Sequence, residues 1–309
     1  MPFSVLEAAA VWKWFNAVES HAACKQVLRI SVDETSLSLL PKQRRGHVFG
    51  KSRCYRKASL STRRTCFTHL ACVVDDPAIQ KVIPQFVILN ERTCSASQLV
   101  AIERALPENF TAVRQKSAWN NNVVCAQFIT ALGKALAPYL GSHHLVLIWD
   151  AAKIHSSRQA LGACRDAGLH VISVPPPTTS KLQVLDTHVF SSYKQYLAEE
   201  LQCVHMAGTT APDVEVFFKC VGKAVKNTFE QVAWGKAFDD NGFGQSQRHI
   251  SKRVREALGQ STVVSGSLCR SDVELCFPRK VRIHWDLLLP FPLIHVRSQW
   301  HFFASAVAV

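Results

Sequence analysis

Short runs of branched apolar residues alternate along the chain with segments in which apolar side chains recur every three or four positions. The runs predict five buried strands, at 27–32, 65–74, 85–89, 144–149 and 169–174. The helical repeats predict helices at 3–24, 121–139, 156–167 and 187–204. The first three strands follow one another directly and favour an antiparallel meander, whereas the last two alternate with helices. This order predicts an α/β fold with a mixed five-stranded sheet flanked by helices.

The rest of the chain divides around this core. Helical patterning continues through 214–233 and 247–258, which predicts a helical extension after the sheet. Pro175, Pro176 and Pro177 predict a stiff, extended loop, because proline fits neither a helix interior nor a central strand. The predicted parts are a helical lead-in, an α/β core, a helical extension and a tail of uncertain order, at 1–26, 27–205, 206–260 and 261–309.

Three aspartates stand at the ends of apolar runs. Asp33 follows Ile30-Ser-Val, Asp150 follows Leu147-Ile-Trp, and Asp186 follows Gln183-Val-Leu. Side chains at the carboxyl ends of strands line the crevice where ligands bind in open α/β sheets, so we expect these carboxylates to converge. Such an oxygen-rich site suits Mg²⁺ or Mn²⁺ and metal-assisted phosphodiester chemistry. Ordinary strand-end acids, and a helix N-cap for Asp186, are the alternatives that the residues alone leave open.

The net charge of the chain indicates an anionic partner. The 309 residues carry a formal charge of +13, which favours nucleic acid, with a basic protein that binds no polyanion as the alternative. Residues 36–74 contain no acid, and 42–64 is strongly basic. We expect 42–64 to form a DNA-contacting hairpin, with a solvated loop or a nuclear-import signal as the alternatives. The side chains assigned to DNA here are Arg44, Arg45, Lys51, Arg53, Arg56 and Lys57.

Cysteine usage and hydropathy bear on the cellular setting. Eleven cysteines occur without a C-x-x-C pair, so we expect reduced, mostly buried thiols rather than a zinc module or a disulfide framework. No apolar stretch approaches the length of a membrane span, and Glu7 and Lys13 make the N-terminus a poor signal peptide. We therefore expect an intracellular protein without membrane contact, and its charge and DNA partner point to the nucleus.

Several motifs, taken in order, resemble one family. They are Val32-Asp-Glu-Thr, Asp150 with His155-Ser156, Pro175-Pro176 with Thr179-Ser180, and Leu182-Gln-Val-Leu-Asp followed by Tyr193-Lys194. Over roughly 27–245 the chain resembles the catalytic domain of DDE-superfamily transposases of the pogo and jerky/CENP-B type, which are relatives of the mariner transposases. The resemblance implies an RNase H-like fold. Ala118-Trp119 and Trp234 are weaker matches, and we expect both tryptophans in the core rather than stacked on bases.

The resemblance also implies roles for single residues. In that family three acids bind two Mg²⁺ or Mn²⁺ ions, which assigns Asp33, Asp150 and Asp186 as catalytic metal ligands. Glu34 and His155 are expected beside these ligands, with a purely structural role as the alternative for each. Lys181 and Gln183 are expected either to contact the DNA backbone or to hold the proline-rich turn in place. The implied activity is DNA cleavage and strand transfer.

Departures from the family pattern define the alternatives. Family members commonly carry Asn after the second Asp and Pro before the Leu-Asp of the third motif, where this chain has Ala151 and Val184. They also place helix-turn-helix modules ahead of the catalytic domain, and only 32 residues precede Asp33. A metal-dependent DNA endonuclease is therefore the favoured hypothesis, and a domesticated, non-catalytic nucleic-acid-binding protein or a transposon remnant is the alternative. The sequence leaves the choice between monomer and homodimer open.

Overall fold

A six-stranded mixed sheet organises the part of the chain that the computed structural model describes, which comprises residues 11, 25–39, 66–174, 176–206 and 213–244. The strands are β1 (Gln26–Ser38), β2 (Cys66–Val74), β3 (Gln85–Asn90), β4 (Phe110–Gln115), β5 (His143–Asp150) and β6 (Leu169–Val174). The α-helices are α1 (Pro77–Gln80), α2 (Ala96–Ala105), α3 (Asn122–Leu136), α4 (Arg158–Asp166), α5 (Thr179–Leu182), α6 (Phe190–Met206), α7 (Val214–Val225) and α8 (Gly235–Asp240). Two π-helical turns, Leu185–Val189 and Lys226–Glu230, precede α6 and follow α7.

The sheet combines antiparallel and parallel pairs in the order β4-β3-β2-β1-β5-β6. β1, β2 and β3 pair antiparallel, which confirms the predicted meander. β5 runs parallel to β1 on one side and to β6 on the other. The predicted α/β class is thus confirmed, and the strands β3, β2, β1, β5 and β6 are the five that the sequence predicts.

The sixth strand, β4, corrects the predicted count of five. It lies at the edge of the sheet, parallel to β3, and its side chains are half-buried or exposed. Because Arg114 and Gln115 interrupt its short apolar pattern, β4 lacks the continuous apolar run that identifies a central strand. The preceding helix, α2, was not predicted either, since Ile102 is its only fully buried residue among those described.

Two cores lie on opposite faces of the sheet, because successive strand residues point to opposite sides. On one face Leu28 and Ile30 of β1 pack with Phe128 of α3. On the other face Val73 of β2 packs with Phe217 of α7. No described helix is long and apolar enough to cross a membrane.

The two tryptophans singled out by the sequence differ in their surroundings. Trp234 is 8% exposed, and its Nε1 donates a hydrogen bond to the Thr228 carbonyl at 3.1 Å, which confirms the predicted core position. Trp119 is 77% exposed, so its predicted core position is wrong. It lies in the connection between β4 and α3.

The proline-rich segment also differs from its prediction. A 3₁₀ turn at Pro176–Thr178 leads directly into α5, whereas an extended loop was expected. The reason is that proline suits the first turn of a helix, where its missing N–H has no partner to lose. Of the predicted N-terminal helix only Val11 is described, and it is helical and buried. The basic stretch 42–64, the helix at 247–258 and the tail lie outside the described residues.

Candidate acidic active site

The sheet places Asp33 and Asp150 on neighbouring parallel strands. The last registered pair between β1 and β5 is Ser31 with Ile148, and each aspartate follows its partner residue by two positions. β1 does not end at Asp33 as predicted, because it continues to Ser38 through antiparallel pairing with β2, in which Asp33 faces Ala71. The pairing with β5 does stop before Asp33, so the aspartate still lies at the edge where parallel pairing ends.

The third aspartate, Asp186, lies in the π-helical turn before α6 and is exposed. Hydrogen bonds from both sides fix the segment that carries it. Gln183 Nε2 donates to the Val32 carbonyl at 3.0 Å, which ties the segment to β1. Asn241 Nδ2 donates to the Leu182 carbonyl at 3.0 Å and to Thr187 Oγ1 at 2.8 Å. Leu182 and Gln183, which precede Asp186, and Thr187, which follows it, are therefore held by distant parts of the chain.

The acids interact electrostatically. Burial raises the pKa of Asp33 to about 8, and the negative charges of Asp186, Glu34 and Asp150 add to the shift. The pKa of Asp186 is raised by burial and by Asp150, while Lys194 opposes the shift. The charges of Asp150 and Asp186 thus act on Asp33, and the charge of Asp150 acts on Asp186. The assignment of all three as metal ligands stays a prediction.

His155 joins two carboxylates beneath this group. It is 1% exposed and stacks on Trp149 with a centroid distance of 4.6 Å. Its Nδ1 lies 2.6 Å from Asp150 Oδ1, and its Nε2 lies 3.5 Å from Glu34 Oε1, an ion-pair distance rather than a hydrogen bond. Burial alone would lower the pKa of His155, but the attraction to Asp150 and Glu34 outweighs burial and raises the pKa to about 10. The imidazolium thus supplies positive charge below the aspartates.

The same interaction acts on Asp150. Burial would raise the pKa of Asp150, but the hydrogen bond and charge of His155 outweigh that effect and lower the pKa. The Ala152 backbone N–H also donates to Asp150 Oδ1, at 3.1 Å. Both hydrogen bonds use Oδ1, so among contacts with described residues Oδ2 is the oxygen left for a cation.

Asn120 is a member of the site that sequence reasoning missed. Its Nδ2 donates a hydrogen bond to Glu34 Oε1 at 2.5 Å, across 86 positions of the chain. Asn120 and His155 thus both contact the Glu34 carboxylate, which neighbours Asp33 in the chain. A run of three asparagines at 120–122 carries no signal for this contact, which depends on how the connection after β4 folds back onto β1.

The donor set fits a hard divalent cation in chemistry and in charge. All four carboxylates supply oxygen, and burial together with the charges of Asp186, Glu34 and Asp150 raises the pKa of Asp33, a shift that a bound cation would oppose. As the described side chains stand, no three His, Cys, Asp or Glu residues are grouped closely enough to hold a metal ion. The donor types and the charge therefore fit Mg²⁺ or Mn²⁺, and the final ligand geometry is not formed.

The predicted DNA contacts fall in different places. Gln183 is fully buried and bonded to Val32, which matches the alternative role of holding the turn. Lys181 is half-buried in α5, next to the same turn. The six basic residues from Arg44 to Lys57 lie outside the described residues, so their contact with DNA stays a prediction.

Fold and site together define an α/β protein of the predicted RNase H-like strand order, with an acidic centre where the parallel pairing of β1 and β5 ends. The family model described as DDE superfamily endonuclease matches residues 65–240, which is more than half of the chain. The chain therefore belongs to the DDE superfamily endonucleases. The matched range contains Asp150 and Asp186 and begins after β1, so the position of Asp33 is known from the geometry rather than from the match.

Solved structures of Mos1 transposase complexes are similar to the chain. The Mos1 paired-end complex with the left transposon end and the Mos1 mariner paired-end complex with Mn are each 15% identical, with a TM-score of 0.39. Each match covers 77% of this chain and 62% of the other. A pre-cleavage Mos1 transpososome is 13% identical with a TM-score of 0.39, and the match covers 78% of this chain and 64% of the other. The chain thus spans less than two thirds of these structures, and no curated protein matches it.

Proposed function

We propose that the chain is a divalent-metal-dependent DNA endonuclease of the transposase type, with Asp33, Asp150 and Asp186 as the metal ligands. The observation that carries this proposal is the position of the three aspartates: Asp33 and Asp150 lie where the parallel pairing of β1 and β5 ends, and Gln183 ties the segment that carries Asp186 to β1 at Val32. His155 offsets part of the negative charge of these acids, and a bound cation would offset the rest. Membership of the DDE superfamily endonucleases supports the same chemistry.

The residues around the site have separable tasks in this proposal. His155 holds Asp150 through Oδ1 and keeps Oδ2 directed to the site. Gln183 and Asn241 fix the segments on either side of Asp186, so that this exposed carboxylate keeps its place. When bound by the three aspartates, Mg²⁺ or Mn²⁺ supplies the Lewis acid that activates the attacking oxygen and stabilises the leaving oxygen.

The partner in this proposal is DNA, and the setting is the nucleus. The formal charge of +13 supports a polyanionic substrate, and the strongly basic stretch 42–64 is the proposed place for phosphate contacts. Strand transfer to a second DNA uses the same ligands with a 3′-hydroxyl in place of water, so cleavage is the activity to establish first.

Nicking of supercoiled plasmid in Mg²⁺ or Mn²⁺ tests the proposal. We expect D33N, D150N and D186N each to reduce nicking by at least about a hundredfold, because each variant removes one anionic ligand and keeps the side-chain shape. Asp166→Asn is the matched control, since Asp166 is 73% exposed and pairs only with its neighbour Arg165 among the described residues. Nicking that survives in all three variants, or in EDTA, would show that the activity does not come from this site.

A non-catalytic nucleic-acid-binding protein is the second candidate, and two observations favour it. The described carboxylates are not grouped as a finished metal site, and the Asn that family members commonly carry after the second Asp is Ala151 here. This candidate predicts salt-dependent DNA binding that the three Asp→Asn changes leave unaltered. A Mn²⁺ titration followed by thermal melting separates the candidates without an activity assay, because only the endonuclease should be stabilised by the ion and only through its aspartates.

A further inference from the structure

Trp119 stands out among the described residues because a large aromatic side chain is left in solvent. It is 77% exposed, and it lies in the connection between β4 and α3. Single exposed apolar residues are common and need no explanation by themselves. The position of Trp119 is informative because of what holds its backbone and what lies next to it.

The backbone around Trp119 is fixed by a set of hydrogen bonds. Gln115 Nε2 donates to the Trp119 carbonyl at 2.5 Å, and Asn121 Nδ2 donates to Gln115 Oε1 at 2.6 Å. Asn121 also caps α3, since its Oδ1 accepts from the backbone N–H groups of Val123 and Val124 at 2.9 and 3.0 Å. The side chain is therefore exposed on a connection whose backbone is held, so little conformational entropy is lost when a ligand meets it.

The residue next to Trp119 belongs to the acidic site. Asn120 donates its hydrogen bond to Glu34 Oε1 at 2.5 Å, and the Glu34 backbone N–H donates to Asp33 Oδ1 at 2.7 Å. The hydrogen bond from the Asn120 side chain to Glu34 thus fixes the backbone next to Trp119 beside the acidic site. His155 approaches Glu34 from the connection after β5, and that connection carries the exposed Lys153. An exposed aromatic ring and an exposed cation thus lie on the two connections that meet at Glu34.

We propose that Trp119 stacks on an unpaired base of the DNA strand whose phosphate lies at the acidic site. An indole face suits any base, and aromatic side chains bind single-stranded nucleic acid in this way, with cations on the adjacent backbone. The ligand class is therefore DNA with an unpaired or frayed nucleotide near the phosphate to be cut. This proposal rests on the proposed function and adds a substrate preference to it.

The experiment compares wild type, W119A and W119F for binding to two short DNAs in EDTA. One DNA is a blunt duplex, and the other carries an unpaired overhang with the fluorescent base 2-aminopurine. We expect W119A to weaken binding of the overhang DNA roughly 5- to 100-fold and to leave blunt-duplex binding within about twofold. W119F should restore most of the affinity, and stacking should quench 2-aminopurine in wild type and W119F only.

Controls separate this inference from its alternatives. Met206→Ala removes another large apolar side chain, 80% exposed at the end of α6, and should change neither affinity. Equal affinity and equal quenching in wild type and W119A would overturn the stacking role while DNA binding stands. Loss of all DNA binding in wild type would overturn the proposed function as well. A change in oligomeric state in W119A, with DNA binding unaltered, would assign Trp119 to a protein contact and overturn the proposal.

Discussion

Two charged groups lie four residues apart on the same strand and differ in how their charges are compensated. At Arg29 the guanidinium binds Asp75 through Nε at 2.5 Å, and through Nη1 it binds Asp239 Oδ1 at 2.6 Å and the Phe243 carbonyl at 2.7 Å. At Asp33, by contrast, the carboxylate accepts a hydrogen bond from the Glu34 backbone and faces three further acids. The first group is a closed ion-pair network, and the second has an excess of negative charge.

The difference indicates what each group is for. Burial raises the pKa of Asp75, and Arg29 opposes that shift by direct contact. Burial also raises the pKa of Asp33, but there the neighbouring charges add to the shift. Among the described residues the fold places a cation against Asp75 and none against Asp33, and this contrast supports the proposed metal site at Asp33. Arg29 serves stability, because it joins the sheet to the turn that follows α8.

Removing the cation of the compensated group should have the largest effect. We expect R29M to lower the free energy of unfolding by roughly 3–5 kcal/mol, because the buried Asp75 loses its cation and keeps only backbone hydrogen bonds. Urea denaturation of the metal-free protein measures the loss. The double variant R29M/D75N should recover part of the stability, since it removes the uncompensated charge. If R29M unfolds at the wild-type urea concentration, the network contributes nothing and the comparison fails.

Neutralising Asp33 should raise the free energy of unfolding, by less than the loss of Arg29 lowers it. The pKa of Asp33 is about 8 in the folded protein, against 3.8 for the unperturbed group. Between these values the folded state binds more protons than the unfolded state, so wild-type stability should fall as pH rises from about 4 to 8. At pH 8 we expect D33N to be more stable than wild type by on the order of 2 kcal/mol, and its pH profile to be flatter.

Thermal melting across this pH range, with EDTA present, is the measurement. Asp166→Asn should keep the wild-type slope. Addition of Mn²⁺ should stabilise wild type and leave D33N unchanged, because the ion binds the charge that D33N removes. A less stable D33N would mean that the Asp33 carboxylate is a structural element and would remove the main support for a cation site.

Removing an exposed ion pair should have the smallest effect on the free energy of unfolding. Arg165 and Asp166 lie 3.4 Å apart with 43% and 73% of their side chains exposed. We expect R165M to change the free energy of unfolding by less than about 0.5 kcal/mol, because solvent screens such pairs. Urea denaturation of R165M and R29M under the same conditions compares the two losses of stability directly. A loss as large as that of R29M would show that charge removal anywhere in this basic protein is destabilising.

The sequence predicts the fold best where strands are buried on both faces. β6 lies at the predicted 169–174, because all six residues are buried and turn signals bound the run. β4 could not be found in this way, since an edge strand needs no continuous apolar face. The two π-helical turns also leave no trace in apolar spacing, and the helix predicted from Thr187 begins its α-helical part at Phe190.

The candidate site likewise contains residues that the sequence predicts and residues that it does not. The aspartates of β1 and β5 are predictable because equivalent positions on adjacent parallel strands meet at one edge. Asn120 is not, because its bond to Glu34 depends on the path of the connection after β4. Neither is the exposure of Trp119, since aromatic residues are buried more often than not and spacing alone cannot identify an exception.

The two tethers of the Asp186 segment have a consequence for the order in which the protein folds. Gln183 reaches Val32 across 151 positions, and Asn241 reaches Leu182 across 59. Contacts between distant residues require long loops to close and therefore form slowly. During synthesis the segment cannot be fixed until Asn241 has left the ribosome, although all three aspartates have already been made. We therefore expect the acidic centre to form late in folding, because both tethers join residues far apart in the sequence.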